Sequence, residues 1–235
     1  MTSLDPIVQD STPTIIARRL RAAVASGEFR PGQQLTEASL AASLGVSRGP
    51  LREAMQRLTQ EGLLVSHRNR GLFVMELDEP TVRDIYLARG AVERTAVRAT
   101  IESGWGSAAD QLLEIVEEMK THEADPSAPA VSALDLTFHE VLVALSRSPR
   151  LVLMHGTLLT QVRLCLAWMQ RSYTTIDYRV EEHLGIARAI KAGDAELADR
   201  LLSEHMDDGL RRLLPVVQEA RSGSGTQQAA APAPS

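Results

Sequence analysis

The segment between residues 35 and 74 constrains the fold of this chain more than any other feature. Thr36 is placed to cap a short helix, and Gly45 predicts its end, because glycine enters a left-handed backbone conformation without steric cost. Ser47 is then placed to cap a second helix. The apolar residues of both helices recur at helical spacing: Leu40, Ala41 and Leu44 in the first, and Leu51, Ala54, Met55 and Leu58 in the second. The segment therefore predicts two helices joined by a tight turn.

The second predicted helix carries polar side chains opposite its apolar stripe. Arg48, Arg52 and Gln56 follow one another at a spacing of one helical turn, and Gly62 ends the helix. Arginine and glutamine near the N-terminus of a helix, braced by a shorter helix, are typical of a helix-turn-helix that contacts base edges in the DNA major groove.

A β-hairpin with a basic tip is predicted next. Residues 63–65 and 72–74 form two apolar runs of strand character. Between them lies a polar loop, which we call the wing: His67, Arg68, Asn69, Arg70 and Gly71. Two helices, a turn and a basic hairpin together predict a winged helix.

The distribution of charge separates this interpretation from its alternative. A small helical domain with a hairpin and a few arginines would show the same pattern without binding nucleic acid. However, residues 1–75 contain 9 Arg, no Lys and 6 acidic residues, a net charge of +3, whereas the remaining residues contain 16 basic and 24 acidic residues, a net charge of −8. The overall charge of −5 conceals a basic N-terminal part, which favours DNA binding by that part.

Three stretches carry a resemblance to a known family: IIARRLRAAVASGEFRPGQQL, LAASLGVSRGPLREAMQRLTQEGLL and the Arg-Gly wing. Residues 15–74 resemble the winged helix of the GntR family of bacterial transcriptional regulators. The rest resembles the helical effector-binding FCD domain of its FadR-type branch, and both together span residues 12–218. The resemblance implies that Arg48 and Arg52 contact bases and that Arg70 with Gly71 enters the minor groove. Some relatives have a further base-contacting arginine where this chain has Ala38. The full predicted DNA-binding set is Ser47, Arg48, Arg52, Gln56, His67, Arg68, Arg70 and Gly71.

The predicted organisation is mainly α-helical and has four parts. Residues 1–11 form a flexible arm, and residues 12–75 form a winged helix-turn-helix of three helices and a small β-hairpin. Residues 78–218 form an all-α bundle of six or seven helices, and residues 221–235, rich in Gly, Ser, Ala and Pro, form a disordered tail. Breaks between the helices of the bundle are predicted near residues 104–106, 125–129, 146–149, 172–175 and 193–194.

The location of the protein is also predicted. No apolar run reaches the ~18–20 residues that span a bilayer, and the first residues lack the basic-then-apolar order of a secretory signal. The single cysteine, Cys165, excludes an internal disulfide framework and fits a reducing bacterial cytoplasm. Because it lies in an apolar helical run, we expect a buried hydrophobic residue and not a nucleophile.

Three predicted helices of the bundle each interrupt an apolar stripe with a histidine. Asp135 and His139 are spaced i, i+4 and share one helix face, while His183 and His205 lie on two further helices. Buried without partners, such groups would be costly, so they need one another, water or a metal ion. Three imidazoles and a carboxylate suit a divalent ion such as Zn, Ni, Mn or Fe.

The alternative is that these are hydrogen-bonded core residues, because a single histidine on an apolar face is more often that than a ligand. The family resemblance implies a metal site, since many FCD domains bind a metal through an Asp and three His placed as here, and zinc is the first choice. His67, His122 and His155 lack this context, and His67 is assigned to the wing.

A buried cation is predicted on the first helix of the bundle. Arg89 shares an inward stripe with Glu93, so it either pairs with that carboxylate at i+4 or binds an anion, and the two roles are compatible. In the family the matching arginine often contacts a carboxylate effector. Arg163, on another apolar helix, is a weaker candidate for the same role. Where relatives commonly have Asn before the next helix, this chain has Ser148-Pro149-Arg150.

Two classes of function fit these features. In the first, a DNA-binding regulator, interpreted as a repressor, binds a pseudo-palindromic operator as a homodimer and senses a small organic acid at a metal-containing pocket. In the second, the bundle is a metalloenzyme whose ion activates water; the pocket motif lacks a separate general base, and the paired Glu-x-x-His motifs of di-iron bundles are missing. A purely structural metal is the third option. We expect a regulator and not an enzyme.

Overall fold

The computed structural model describes residues 10–122, 129–169 and 177–228. It divides into two compact units, Met1–Glu76 and Leu77–Ser235, which we call the winged-helix unit and the helical unit. Both are mainly helical, and the only sheet among the described residues is a small one in the winged-helix unit, so the predicted fold class is confirmed. None of the helices in the described part of the chain combines the length and the apolar character needed to cross a bilayer.

From residue 10 onward, the winged-helix unit contains three helices and three short strands, in chain order α1 (Thr12–Ala25), β1 (Gln34–Leu35), α2 (Glu37–Leu44), α3 (Arg48–Gln60), β2 (Leu64–His67) and β3 (Gly71–Val74). The predicted helix ends are present. Thr36 Oγ1 accepts a hydrogen bond from the Ser39 amide at 3.3 Å, and Gly45 has a φ of 65°. Ser47 occupies the N-cap position of α3, but its hydroxyl makes no capping hydrogen bond.

The predicted apolar stripe of α3 forms part of the core, with Leu51, Ala54, Met55 and Leu58 at most 1% exposed. The sheet has the order β1-β3-β2 and is antiparallel throughout. Strand β1 was not predicted, because two residues are too few to show a period-two pattern. It supports the wing, since Gln34 Nε2 donates a hydrogen bond to the Arg70 carbonyl at 2.6 Å.

In its described residues, the helical unit contains six α-helices and one short 3-10 helix (Trp105–Ala109), and six or seven helices were predicted. The α-helices are α4 (Glu79–Glu102), α5 (Asp110–Lys120), α6 (Pro129–Ala144), α7 (Pro149–Met169), α8 (Asp177–Ala192) and α9 (Ala195–Gln228). Asp78 caps α4, as its side chain accepts a hydrogen bond from the Thr81 amide at 2.9 Å. Helix α4 packs against α6, α7, α8 and α9, so its inward face lies at the centre of the bundle.

The prediction of a disordered tail is wrong for residues 221–228. Helix α9 continues through them to Gln228. Adding residues to an existing helix requires no new nucleation, so Gly and Ser weaken the end of α9 without stopping it. Most of the predicted arm, the break at 172–175, nearly all of the break at 125–129 and residues 229–235 lie outside the described residues.

Candidate metal centre and nucleic-acid interface

Three histidines from three helices meet inside the helical unit. His139 on α6, His183 on α8 and His205 on α9 each offer one ring nitrogen, and these atoms lie within 4.8 Å of one another. His139 and His183 are completely buried, and His205 is half-buried. His139 Nε2 and His205 Nε2 are 3.2 Å apart.

The opposite nitrogen of each ring has its own acceptor. His139 Nδ1 donates to Glu93 Oε2 at 2.7 Å, and His183 Nδ1 donates to the Arg179 carbonyl at 2.7 Å. His205 Nδ1 lies 3.2 Å from Glu182 Oε2. An acceptor at Nδ1 holds the proton of a neutral imidazole there, which leaves the lone pair on Nε2.

These contacts at Nδ1 leave the Nε2 atoms of the three rings without ordinary hydrogen bonds. His183 Nε2 is buried and has no hydrogen-bond partner among the described residues. The Nε2 atoms of His139 and His205 face each other as lone pairs if both protons stay on Nδ1. A cation between the rings would satisfy all three atoms, and oriented partners at Nδ1 are the usual outer shell of histidine metal ligands.

The charge states in this cluster suit a cation. Burial lowers the pKa of His139 to about 4, and the nearby Arg89 charge acts in the same direction. Burial and the neighbouring His205 hold the pKa of His183 well below its ordinary value. Both imidazoles are therefore neutral at neutral pH, which is the form that binds metals.

Asp135 lies at the edge of the histidine cluster, one helical turn before His139. Its Oδ1 is 3.4 Å from His183 Nε2. Burial opposes ionisation of Asp135, but it is outweighed by the positive charges of His183 and His139, which are protonated only in acid, and by those of Arg179 and Arg89, so the pKa of Asp135 is lowered to about 2. The structure thus brings the predicted carboxylate, ionised, beside the three predicted histidines.

Arg89 and Glu93 form a buried ion pair on α4. Arg89 Nε donates to Glu93 Oε1 at 2.7 Å, and the two side chains are 2% and 0% exposed. Arg89 Nη2 is buried and has no hydrogen-bond partner among the described residues. Both alternatives for Arg89 therefore remain: it pairs with Glu93, and it keeps one donor for an anion.

His155 lies outside the group of three histidines, as predicted, but its burial beside that group was not predicted. Its side chain is 2% exposed, and Nε2 donates to Glu93 Oε1 at 2.9 Å. A signal existed in the sequence, because His155 precedes the buried Leu159 and Val162 by four and seven residues, the spacing of one helix face. Sequence reasoning also missed Arg179 and Glu182, which supply the outer acceptors on α8.

Arg163 does not join this cluster. Its side chain is exposed, because Val162 and Cys165 take the inward positions of that turn of α7. Cys165 is fully buried, and burial raises the pKa of its thiol to about 12, as expected of a core residue and not of a nucleophile.

The predicted DNA-binding residues of α3 are exposed, including Ser47, Arg48, Arg52 and Gln56. Arg52 forms a two-pronged ion pair with Glu37 of α2: Nε to Oε1 is 2.9 Å, and Nη2 to Oε2 is 2.8 Å. The hydrogen bonds from Arg52 lower the pKa of Glu37. Sequence analysis did not predict this partner, since the two residues are fifteen positions apart.

The wing residues His67, Arg68, Arg70 and Gly71 are exposed as well. Asn69 and Gly71 have φ values of 62° and 98°, so the tip of the wing needs two residues that tolerate a left-handed backbone. The Arg70 guanidinium lies 5.4 Å from the centre of the Phe73 ring, a contact that supports it from β3.

Comparison with known proteins agrees with this architecture. Residues 14–74 match the family described as bacterial regulatory proteins, gntR family, and residues 84–208 match the FCD domain. The chain is 30% identical to the Nta operon transcriptional regulator of Aminobacter aminovorans over 83% of this chain and 91% of that protein. It is 29% identical to the gluconate operon transcriptional repressor of Bacillus licheniformis, with 84% and 83% covered.

A solved GntR transcriptional regulator from Rhodococcus sp. RHA1 is similar in structure, with a TM-score of 0.71 and 28% identity over 88% of this chain and 99% of that chain. These relatives are regulators, which agrees with the prediction that this protein is not an enzyme. The chain belongs to the gntR family of bacterial regulatory proteins and is a DNA-binding transcriptional regulator whose winged helix is followed by an FCD domain.

Proposed function

We propose that this regulator is a homodimeric repressor that senses a small organic acid at a divalent metal ion in its helical unit. One observation carries the sensing part of the proposal: three imidazoles converge through Nε2, each with an acceptor near Nδ1, beside a buried arginine with an open donor.

Four residues would hold the metal: Asp135, His139, His183 and His205. Nitrogen and carboxylate ligands favour zinc, and nickel, manganese or iron would also accept this set. When bound, the metal supplies a positive centre with coordination positions left for a carboxylate oxygen. The four residues would fix its place.

Arg89 would hold a second acidic group of the effector. Its Nε is taken by Glu93, and Nη2 remains as a buried donor. A planar guanidinium suits a carboxylate through parallel hydrogen bonds. The effector can change DNA affinity only by as much as its affinity differs between two states of the protein.

The winged-helix unit would bind DNA as one half of a two-fold assembly. A single recognition helix contacts too few base pairs for useful specificity, so a pseudo-palindromic operator and a homodimer are expected. Glu37 occupies the Nε edge of Arg52, which leaves the Nη1 end of the guanidinium for a guanine. Glu37 would thus hold Arg52 extended before DNA arrives.

The metal is tested by elemental analysis of untagged protein purified without chelators. We expect one equivalent of metal per chain, and a loss of metal affinity by orders of magnitude in His183→Ala and His205→Ala. His122→Ala, outside the cluster, is the matched control and keeps the metal. A wild-type protein that contains no metal and binds none on titration with Zn²⁺ contradicts the proposal.

The DNA face is tested with Arg52→Ala on operators selected from a random-sequence library. We expect a loss of roughly 1–3 kcal/mol for the selected duplex and relaxed selectivity at the contacted base. Arg18→Ala, on α1, removes the same charge from the same unit and serves as the control. Equal weakening of selected and random duplexes would make Arg52 a phosphate contact only.

A further inference from the structure

One carboxylate connects the two halves of the proposed pocket. Glu93 is fully buried and accepts hydrogen bonds from three side chains: Arg89 Nε at 2.7 Å, His155 Nε2 at 2.9 Å and His139 Nδ1 at 2.7 Å. Arg89 and Glu93 lie on α4, His139 on α6 and His155 on α7. The Glu93 side chain therefore links residues from three helices of the bundle through hydrogen bonds.

The two oxygens of Glu93 have different tasks. Oε2 receives the Nδ1 proton of His139, which directs Nε2 of that ring toward the other histidines. Oε1 receives Arg89 Nε, which fixes the direction of the open Nη2 donor. Because the carboxylate group is planar and rigid, a rotation that improves one of these contacts disturbs the other.

His155 is the third donor to Glu93, and it has no binding role of its own in the proposed pocket. It belongs to neither the proposed metal ligands nor the anion-binding group, yet it is buried and donates to the same Oε1 as Arg89. An added donor on a carboxylate limits its rotation and stabilises its charge in a buried site. The contact between His155 and Glu93 thus indicates that His155 helps to orient the Glu93 carboxylate.

We infer that Glu93 and His155 are positioning residues that make metal binding and carboxylate binding strengthen each other. The reasoning rests on the proposed function. An anion that neutralises Arg89 leaves more of the Glu93 charge to stabilise the metal-bound His139 ring, and a metal on that ring makes Nδ1 a stronger donor to Glu93. His155 keeps Glu93 in the position where both effects act.

Two amide substitutions at position 155 separate a hydrogen-bonding role from simple packing. His155→Gln places an amide nitrogen near the position of the histidine Nε2, so it can still donate to Glu93. His155→Asn places its amide nitrogen near the position of Nδ1 and falls short. Thr157→Ala, exposed on the same helix, is the control.

The full-length protein is stripped of metal and titrated with Co²⁺, whose visible absorption reports the geometry of bound histidines. Each titration is repeated with acetate as the simplest carboxylate. We expect His155→Asn to weaken Co²⁺ binding by roughly 10–100-fold and to reduce the effect of acetate on it. His155→Gln stays close to wild type, and circular dichroism checks the helix content of each variant.

The outcomes distinguish this inference from the function on which it rests. If wild-type protein binds no Co²⁺, the metal centre itself is refuted. If wild type binds Co²⁺ but both amide variants match Thr157→Ala, the positioning role is overturned and the metal centre stands. An equal loss in both variants also overturns it, because packing and not the donor at Nε2 would then be responsible.

Discussion

The metal-free helical unit should lose stability in mild acid, and His139 should account for a defined part of that loss. Burial lowers the pKa of His139 from 6.5 to about 4. In the unfolded chain the ring takes up a proton near its ordinary pKa, whereas in the folded protein it remains neutral. The contribution of His139 is therefore fully present above 6.5 and is lost as the pH falls toward 4.

The magnitude follows from the two pKa values. Between about pH 8 and about pH 5, protonation of the unfolded state reduces the free energy of unfolding by about 2 kcal/mol for His139 alone. His183, whose pKa is also lowered by burial, adds a loss of the same sign. The carboxyl groups of Asp135 and Glu93 affect the free energy of unfolding only at lower pH. The pKa of Asp135 is lowered to about 2, and that of Glu93 is lowered well below 4.5.

The assay is urea unfolding of the full chain in the presence of a chelator, followed by tryptophan fluorescence. Both tryptophans, Trp105 and Trp168, belong to the helical unit, so the signal excludes the winged-helix unit. His139→Asn places its amide nitrogen near the position of Nδ1, so it can still donate to Glu93, and it removes the titrating ring. We expect its stability difference between the two pH values to be about 2 kcal/mol smaller than that of wild type.

His122→Asn serves as the control, because this half-buried residue follows the end of α5 and lies outside the cluster. It should show the full wild-type dependence on pH. If His139→Asn retains the whole pH dependence, His139 is not neutral and buried in the folded protein. The argument for its readiness to bind a metal would then fail too.

Two further predictions concern the same unit. Arg89→Lys, loaded with metal, should lose most of the thermal stabilisation that a screen of organic acids finds for wild type, because an ammonium lacks the planar fork for a carboxylate; equal stabilisation would leave Arg89 a structural partner of Glu93. Gly209→Ala should cost roughly 1–3 kcal/mol, because a Cβ there would lie 2.9 Å from Tyr86 Cε1. Gly156→Ala, where a Cβ would meet nothing within 4 Å, should cost nothing, and urea unfolding of both variants compares them.

Sequence reasoning succeeded where the information is local. The cap at Thr36, the left-handed Gly45 and the stripe from Leu51 to Leu58 depend on neighbours within a few positions, and all are present. The same reasoning missed β1, because its two residues become a strand only through pairing with β3. The helical part of the tail was also missed. Its Gly and Ser content indicates a low helix propensity, but it does not show that helix α9 already leads into this segment.

The candidate site shows the same division between local and distant information. Asp135, His139, His183 and His205 could be selected because each interrupts an apolar stripe on its own helix. Their partners could not, since Glu93 meets His139 across 46 positions and His155 across 62 positions of the chain. Those contacts form because α4 packs against α6 and α7. Residue spacing within a single helix does not predict which helices pack together.

Glu93 illustrates why the ligands alone do not define such a site. From the sequence it is the i+4 partner of Arg89, a pairing that would stabilise an exposed helix only slightly. Buried at the centre of the bundle, the same carboxylate would cost several kcal/mol without partners, and three donors offset that cost. Any change that displaces one donor must then move the others or leave a charge unsatisfied. An anion that bound Arg89 would therefore act on groups from three helices at once, which is the property that the proposed sensor function requires.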